Sequence, residues 1–174
     1  MNTEELKTCV RNIPDFPKPG ILFRDITPLL SAPQAFRETV DTLCRRYEGK
    51  KIDKVVAIES RGFVFASPVA YRLGAGLVPF RKPGKLPYRT ISESYALEYG
   101  EATLEVHNDA ILPGERVLVL DDLLATGGTA AAAVALVKRL GGEVVELCFV
   151  IELKVLKGRE KLRGVPVFSL LSYD

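Results

Sequence analysis

The sequence predicts an α/β fold in which an open, twisted parallel sheet is flanked by helices, within a single domain of residues 1–174. Short apolar runs alternate along the chain with segments whose apolar residues recur at helical spacing. The runs are nearly continuous, which is typical of parallel strands buried on both faces. With 174 residues, of which 47% are hydrophobic and 26% charged, the chain can bury the core that such a sheet needs.

Two helices are predicted in the N-terminal part of the chain. Thr3 is expected to cap the first helix, and apolar residues follow at helical spacing from Leu6 to Ile13. Prolines and a glycine between residues 14 and 20 end this pattern. A second, amphipathic helix is expected from Phe36 to Tyr47.

Five apolar runs are predicted as core strands, with two helices among them. One helix is expected to follow Arg61-Gly62 and reach Leu73, and the other to run from about Thr129 to Leu140. Residues 81–107 differ, because a basic, proline-rich loop precedes alternating patterns that predict a hairpin with its turn at Tyr99-Gly100. The predicted core strands are Lys54–Ile58, Leu77–Phe80, Val117–Leu120, Val144–Ile151 and Val165–Leu171.

Charge, cysteine and histidine content exclude several classes of function. A formal net charge of +2 is too balanced for a dedicated nucleic-acid binder. No apolar run approaches the roughly 18 residues of a membrane span, and the acidic start lacks a signal peptide's apolar segment, so we expect a cytoplasmic protein. Cys9, Cys44 and Cys148 are expected as core residues rather than disulfide partners. His107, the only histidine, is expected at a strand end or on the surface.

The segment from Val117 to Thr129 carries the most chemical information. Its apolar strand leads into Asp121-Asp122, and adjacent carboxylates beside a core are costly unless a cation or hydroxyl groups meet them. Two glycines in residues 125–129 then let backbone amides curl inward, and the following helix N-terminus adds positive potential. The pattern predicts a phosphate cradle beside an acidic pair that can hold the hydroxyls of a sugar phosphate.

An ordinary strand-to-helix turn with capping aspartates is the simpler interpretation of this segment. We favour the phosphate site because the acidic pair and the glycines occur together. Standard nucleotide-binding loops are absent from the sequence. Gly84-Lys85 lacks the Ser or Thr that would complete a P-loop, and Gly74 and Gly76 lack the third glycine of a dinucleotide fingerprint.

Six segments, in order along nearly the whole chain, resemble type I phosphoribosyltransferases, and most closely the adenine-using members of that family. The resemblance implies a pentosyltransferase of purine salvage, which transfers the phosphoribosyl group of phosphoribosyl pyrophosphate to adenine and yields AMP and pyrophosphate. It also implies a small hood formed mainly by residues 1–30, a flexible lid at about residues 81–107, and a homodimer. The segments are FPKPGILFRDITPLL (16–30), ESRGF (59–63), RKPGKLP (81–87), SYALEYG (94–100), DDLLATGGT (121–129) and LKGREKL (156–162).

The resemblance further implies the residues that bind phosphoribosyl pyrophosphate and carry catalysis. Arg61, Asp121, Asp122 and Glu98 are the expected catalytic residues, and the two aspartates would stabilise the positive charge that develops on the ribose. Mg²⁺ is expected as a cofactor, bound mainly through substrate and water, to neutralise the leaving pyrophosphate. The expected binding residues are Glu59, Ser60, Arg61, Gly62, Arg81, Lys85, Asp121, Asp122, Ala125, Thr126, Gly127, Gly128 and Thr129.

The same resemblance implies where the base binds. Leu22, Phe23 and Arg24 are expected to form the adenine pocket, with Phe23 stacked on the purine and Leu153 closing the opposite face. Glu98 and Tyr99 are expected to be lid residues over the base or the reacting ribose.

Simpler interpretations of these residues stay open. Arg61 could be a cap paired with Glu59, residues 81–89 could be a solvated basic loop, and Phe23 could be a core residue. Two other functions also stay open: a phosphoribosyltransferase for another purine base, and a non-catalytic regulator that binds phosphoribosyl pyrophosphate as a signal.

Overall fold

The computed structural model describes residues 1–97 and 100–174 and confirms the predicted α/β class. Glu98 and Tyr99, the predicted lid residues, lie outside the described residues. No helix in the described part of the chain is long and apolar enough to cross a membrane. The helices are α1 (Thr3–Thr8), α2 (Thr27–Ser31), α3 (Pro33–Tyr47), α4 (Gly62–Leu73) and α5 (Gly128–Arg139), and the strands are β1 (Arg11–Ile13), β2 (Phe23–Asp25), β3 (Lys54–Ile58), β4 (Gly76–Phe80), β5 (Thr90–Ala96), β6 (Glu101–His107), β7 (Arg116–Leu124), β8 (Glu143–Leu153) and β9 (Val167–Tyr173).

The chain divides into two compact units, and the first comprises Met1–Arg46. Asn2, rather than the predicted Thr3, caps α1, because Asn2 and Glu5 each accept a hydrogen bond from the other's backbone amide at 2.9 Å. Strands β1 and β2 form an antiparallel pair. The sequence patterns do not predict this pair, since strands of three residues are too short to show a period. The predicted hood segment, residues 1–30, is part of this unit.

The second unit, Tyr47–Asp174, contains a five-stranded parallel sheet of order β4-β3-β7-β8-β9. The chain passes from β3 through α4 to β4 on one side, and from β7 through α5 to β8 on the other. Because such crossovers are right-handed, α4 and α5 lie on opposite faces of the sheet. Strands β3 and β7 are therefore neighbours whose connections run in opposite directions. Open α/β sheets bind ligands at the carboxyl ends of such a pair.

One hydrophobic core of this unit lies between the sheet and α5. Val56, Val119 and Leu147 from three neighbouring strands are fully buried in one cluster with Ala133 and Leu136 of α5. The alanines at the start of α5 leave room for a close approach of helix and sheet. This packing fixes the position of the helix N-terminus relative to the carboxyl end of β7.

The predicted hairpin in residues 81–107 is confirmed as the antiparallel pair β5–β6. Leu104 and Val106 of β6 are buried in the same core cluster, so the core anchors the half of the hairpin that lies far from its turn. His107 ends β6, as predicted, and its Nε2 accepts a hydrogen bond from the Tyr88 amide at 3.2 Å. The assignment of residues 81–107 as a lid stays a prediction.

The cysteines follow the prediction in two positions of three. Cys44 and Cys148 are buried, whereas Cys9 is partly exposed near the end of α1. All three are free cysteines.

Candidate active site

The carboxyl ends of β3 and β7 bring most of the predicted polar residues to one cavity of about 610 Å³. Glu59, Ser60 and Arg61 line it from the end of β3. Asp121 and Asp122 line it from β7, together with Ala125 of the loop that follows and Thr129 of α5. The cavity lies where the topology of the sheet predicts a ligand site.

The acidic pair lies within β7 rather than beyond it, because this strand continues to Leu124. The side chain of Asp122 is only 9% exposed, and it accepts a hydrogen bond from Arg61 Nε at 2.5 Å. Oδ1 of Asp121 accepts a hydrogen bond from the Asp122 amide at 2.8 Å. Glycine at position 62 lets α4 begin this close to the pair, since a Cβ there would lie 2.9 Å from Asp121 Oδ1.

The two adjacent carboxylates therefore have different electrostatic surroundings. Burial and the neighbouring Asp122 carboxylate raise the pKa of Asp121 well above its usual range, and the Asp122 amide and Arg61 only partly offset them. Asp122 is paired directly with a guanidinium. Hydroxyl donors or positive charge arriving at Asp121 would favour its ionised form. The pair is suited to a ligand that brings both, such as a ribose on which positive charge develops.

Residues 125–129, which we call the cradle, comprise the loop between β7 and α5 and the first two residues of that helix, and they line a small cavity of about 60 Å³. Gly127 has φ of 82°, a left-handed conformation that glycine adopts without strain. Helix α5 begins at Gly128, and no described side chain caps its N-terminus. Binding of an anion by its first amides stays a prediction. Thr129 Oγ1 donates a hydrogen bond to Tyr95 Oη at 3.0 Å.

Sequence reasoning missed several residues that line the large cavity. Lys82 lines it, whereas Lys85 was the lysine expected there. Tyr95 and Thr103 line it from the hairpin. The alternation along β5 places Tyr95 on the same face as Ile91, and both pack on the core. That alternation is a sequence signal that could have identified Tyr95.

Glu59 pairs with Arg81, so the expected pairing of Arg61 with Glu59 is wrong. Arg61 does occupy the N-cap position of α4, without a capping hydrogen bond from its side chain. Arg81 Nε lies 3.2 Å from Glu59 Oε2, which also accepts a hydrogen bond from the Lys82 amide at 2.8 Å. Burial acts to raise the pKa of Glu59, but hydrogen bonds from Lys82 and Arg81 outweigh it and the pKa is lowered. The peptide bond between Glu59 and Ser60 is cis.

The start of the basic loop is bound to acidic residues rather than only solvated. Arg81 and Glu105 exchange two backbone hydrogen bonds, of 2.9 and 2.7 Å. The Gly84 amide donates to the Glu105 carboxylate at 3.2 Å. Lys85 is carried by this loop, and its backbone oxygen accepts a hydrogen bond from Arg81 Nη1 at 3.4 Å.

The residues predicted for adenine binding are divided between the two units. Leu22, Phe23 and Arg24 belong to the first unit, and Leu153 ends β8 in the second. The Phe23 ring is half-buried and packs edge-to-face on Phe16 at a centroid distance of 5.1 Å. The side chain of Leu22 is 46% exposed, which leaves an apolar surface for a ligand. The assignment of these four residues to a base pocket stays a prediction.

Comparison with known proteins decides the family. The sequence profile described as phosphoribosyl transferase domain matches residues 29–170. The chain belongs to the phosphoribosyltransferase family. The matched range includes the acidic pair, the cradle and the residues that follow β3.

Phosphoribosyltransferases that resemble this chain over its full length are named for adenine. An adenine phosphoribosyltransferase of Chloroflexus aurantiacus is 60% identical over 173 residues, which cover 99% of this chain and 100% of that protein. The crystal structure of the Thermoanaerobacter pseudethanolicus enzyme superposes with a TM-score of 0.96 at 52% identity, covering 99% of this chain and 100% of that one. The Saccharomyces cerevisiae enzyme, crystallised with adenine and an imino-altritol bisphosphate, has a TM-score of 0.92 at 44% identity, covering 97% and 98%.

The adenine phosphoribosyltransferases match more of this chain than the family profile does. Residues 1–28, which include Leu22, Phe23 and Arg24, precede the range that the phosphoribosyltransferase profile matches. The adenine phosphoribosyltransferases nevertheless match nearly the whole chain.

We expect Asp121→Asn to gain thermal stability over the wild type as pH rises from acid to neutral. The folded protein holds the Asp121 proton more tightly than the unfolded chain does, because the folded pKa is raised. Stability contributed by the protonated form is therefore lost as pH rises through that raised pKa, and uncharged Asn avoids the loss. Melting temperatures of both proteins across this pH range are the measurement.

Asp122→Asn is the matched control for this prediction. It removes the acceptor of Arg61, so we expect it to destabilise the protein at neutral pH by about 1 kcal/mol, a value kept small because Arg61 is half exposed. If the melting temperature of Asp121→Asn falls relative to wild type as pH rises, the pKa of Asp121 is not raised in the folded protein.

Proposed function

We propose that this protein transfers the 5-phosphoribosyl group of phosphoribosyl pyrophosphate to adenine, releasing AMP and pyrophosphate. The observation that carries the proposal is the juxtaposition, at one sheet edge, of an acidic pair and an uncapped, glycine-containing helix N-terminus. The two features match the hydroxyls and the 5′-phosphate of a phosphorylated ribose. Identity of 60% to an adenine phosphoribosyltransferase over nearly the whole chain supports adenine as the base.

The ribose and its phosphate are assigned to β7 and the cradle. The amides of residues 126–129 and the Thr126 hydroxyl would donate to the 5′-phosphate. The Thr129 hydroxyl would join them by giving up its hydrogen bond to Tyr95 Oη. Asp121 and Asp122 would accept hydrogen bonds from the ribose hydroxyls. Because these carboxylates are held in place before the substrate arrives, they would stabilise the positive charge that develops on the ribose as pyrophosphate leaves it.

The pyrophosphate is assigned to the residues after β3 and to the basic loop. Backbone amides of residues 59–62 and the forked guanidinium of Arg61 suit its oxygens. Arg81 and Lys85 add positive charge, and Lys82 is included because it lines the cavity. Arg61 would give up part of its contact with Asp122 and bind a pyrophosphate oxygen instead. The same guanidinium would then link the pyrophosphate to the aspartate that holds the ribose.

Mg²⁺ is proposed as a cofactor that arrives with the substrate. The described residues contain no group of three or more His, Cys, Asp or Glu side chains placed to hold a metal ion, and Glu59 and Asp122 are already paired with arginines. This site fits an ion bound mainly by pyrophosphate oxygens and water. Such an ion supplies charge neutralisation to the leaving pyrophosphate.

Adenine is assigned to Leu22, Phe23, Arg24 and Leu153. Phe23 would stack on the purine, and backbone carbonyls near it would accept hydrogen bonds from the exocyclic amine. Glu98 and Tyr99 would cover the base, and Glu98 could receive the proton that adenine loses as its nitrogen bonds to the ribose.

We further propose a cytoplasmic homodimer. The second copy would cover apolar side chains that α4 and the edge strand β4 leave exposed. Val64 and Tyr71, seven residues apart on α4, are 39% and 85% exposed, and Leu77 of β4 is 44% exposed. Burial of such a surface is favourable in proportion to its apolar area.

We expect the purified protein to use adenine with a kcat/KM at least roughly 10²-fold above that for hypoxanthine or guanine. Backbone acceptors that meet an exocyclic amine leave a 6-oxo group badly paired. Steady-state assays with each base, phosphoribosyl pyrophosphate and Mg²⁺ measure this ratio.

The control for the base assay is the double variant Asp121→Asn, Asp122→Asn. It should lose roughly 10²-fold in kcat, because the charge that faces the ribose is removed. A kcat/KM for hypoxanthine equal to that for adenine would contradict the assignment of adenine as the preferred base. Binding of phosphoribosyl pyrophosphate without turnover of any base would identify a regulator instead.

We expect amide exchange in residues 81–99 to slow when phosphoribosyl pyrophosphate and Mg²⁺ bind. Four like charges at Arg81, Lys82, Lys85 and Arg89 favour closure on a polyanion, and closure would exclude water from the reacting ribose. Hydrogen–deuterium exchange with and without the substrate is the direct measurement. Equal protection in both states would show that this segment is static.

Two substitutions separate the roles within this predicted lid. Glu98→Ala should lower kcat by roughly 10²-fold with little change in the KM of phosphoribosyl pyrophosphate, whereas Lys85→Ala should mainly raise that KM. Asp109→Ala, at an exposed carboxylate just beyond the hairpin, is the matched control and should change neither constant. Unchanged kinetics of Glu98→Ala would remove this residue from the site.

A further inference from the structure

The cradle is shaped by direct backbone contact with a second segment of the chain. A Cβ at Gly127 would overlap the carbonyl oxygen of Gly158. In turn, a Cβ at Gly158 would overlap the carbonyl oxygen of Ala125 and lie 2.9 Å from Leu124 Cδ1. Two glycines, 31 positions apart in the sequence, therefore let the backbones of residues 125–127 and 158 touch. A displacement of Gly158 would therefore change its backbone contacts with residues 125–127 and could shift the cradle.

Gly158 is part of a short segment whose far end, Leu162, is buried in the core cluster that includes α5. It begins a 3-10 turn, Gly158–Leu162, in which only Gly158 and Leu162 are buried. Lys157, immediately before it, has φ of 53°, so the chain makes a sharp left-handed bend there. Leu162 anchors the far end of the turn, and a second anchor near Gly158 is needed to hold the neighbouring loop in place.

Arg159 supplies that anchor through a two-pronged ion pair with Glu152. Its Nε and Nη2 each lie 2.7 Å from one carboxylate oxygen of Glu152. Nη1 donates to the Val167 carbonyl at 3.0 Å, and Nη2 also lies 3.4 Å from Ser169 Oγ. One guanidinium thus joins the turn to β8 and β9. The planar fork of arginine provides this set of contacts, and an ammonium cannot reproduce it.

Glu152 is placed where it can transmit this anchoring to the cradle. Its side chain is 5% exposed, and it lies in register with Leu124, the last residue of β7 before the cradle. The Arg159 hydrogen bonds lower the pKa of Glu152 despite its burial, so the pair is charged at neutral pH. The cradle follows Leu124, and the carboxylate that anchors Arg159 belongs to Glu152. The two segments are therefore fixed to the sheet at one pair of facing residues.

We propose that Arg159 is a positioning residue for the 5′-phosphate. By holding Gly158 against residues 125–127, the Arg159–Glu152 pair keeps the cradle amides directed toward the anion. The proposal rests on the phosphate-binding role given to the cradle above. It assigns Arg159 no contact with the substrate.

The test uses ribose 5-phosphate as a probe of the cradle, measured by calorimetry on the intact protein, and steady-state kinetics with phosphoribosyl pyrophosphate. Arg159→Gln should weaken ribose 5-phosphate binding and raise the KM of phosphoribosyl pyrophosphate by roughly 10-fold, because small displacements of a preorganised site are costly. The KM of adenine should stay unchanged. Arg159→Lys, which keeps the charge but not the fork, should have an intermediate effect.

Arg116→Gln is the matched control. Arg116 likewise bonds a carboxylate, Glu143, and a backbone carbonyl, that of Lys51, both at 3.0 Å, but it lies at the amino end of β7, away from the cradle. A merely structural role for Arg159 would lower the melting temperature as Arg116→Gln does and leave the affinity for ribose 5-phosphate unchanged well below that temperature.

The outcomes distinguish this proposal from the proposed function. Unchanged affinity for ribose 5-phosphate in Arg159→Gln overturns the positioning role. If that variant does not fold, unchanged affinity in the milder Arg159→Lys overturns it equally. Loss of affinity in these variants, with no transferase activity in the wild type, would uphold the positioning role and refute the proposed activity.

Discussion

Two adjacent carboxylates held inside the central strand of the sheet are the constraint on which the site depends. Strand β7 is apolar and fully buried from Val117 to Leu120, and then carries Asp121 and Asp122 before it ends. Burial of a carboxylate is costly unless a partner meets it. Arg61 meets Asp122, and Gly62 lets α4 start beside Asp121. What is costly in the free protein is useful for a ligand that brings hydroxyl groups and positive charge.

A second requirement is that the backbone, rather than side chains, forms the phosphate site. No described side chain caps the helix N-terminus in the cradle. The geometry of the cradle therefore depends on its glycines and on the backbone that packs against them. Gly127 and Gly158 meet backbone to backbone, and the Arg159–Glu152 pair holds the outer partner. The acidic pair and the cradle are thus supported from different sides of the same strand end, one by α4 and one by the turn after β8.

Much of this arrangement could be predicted from the sequence, for physical reasons that differ by element. Buried strands are predicted by continuous apolar runs. The glycine-rich turn after Asp121-Asp122 is predicted because its signal lies in a few consecutive residues. The partner of Glu59 could not be predicted, because Arg61 and Arg81 are equally plausible until the parallel pairing of β3 and β4 brings Arg81 beside it. The support of the cradle by Arg159 was equally hidden, since it depends on the register of β7 against β8.

The most direct test of this account is a crystal structure of the protein with AMP. The account predicts the AMP phosphate within hydrogen-bond distance of the backbone amides of residues 126–129, and the ribose hydroxyls on Asp121 and Asp122. It also predicts the purine beside Phe23. A structure in which the phosphate lies elsewhere, with the cradle empty and Arg61 still the sole partner of the acidic pair, would contradict the assignment of this sheet edge as the site.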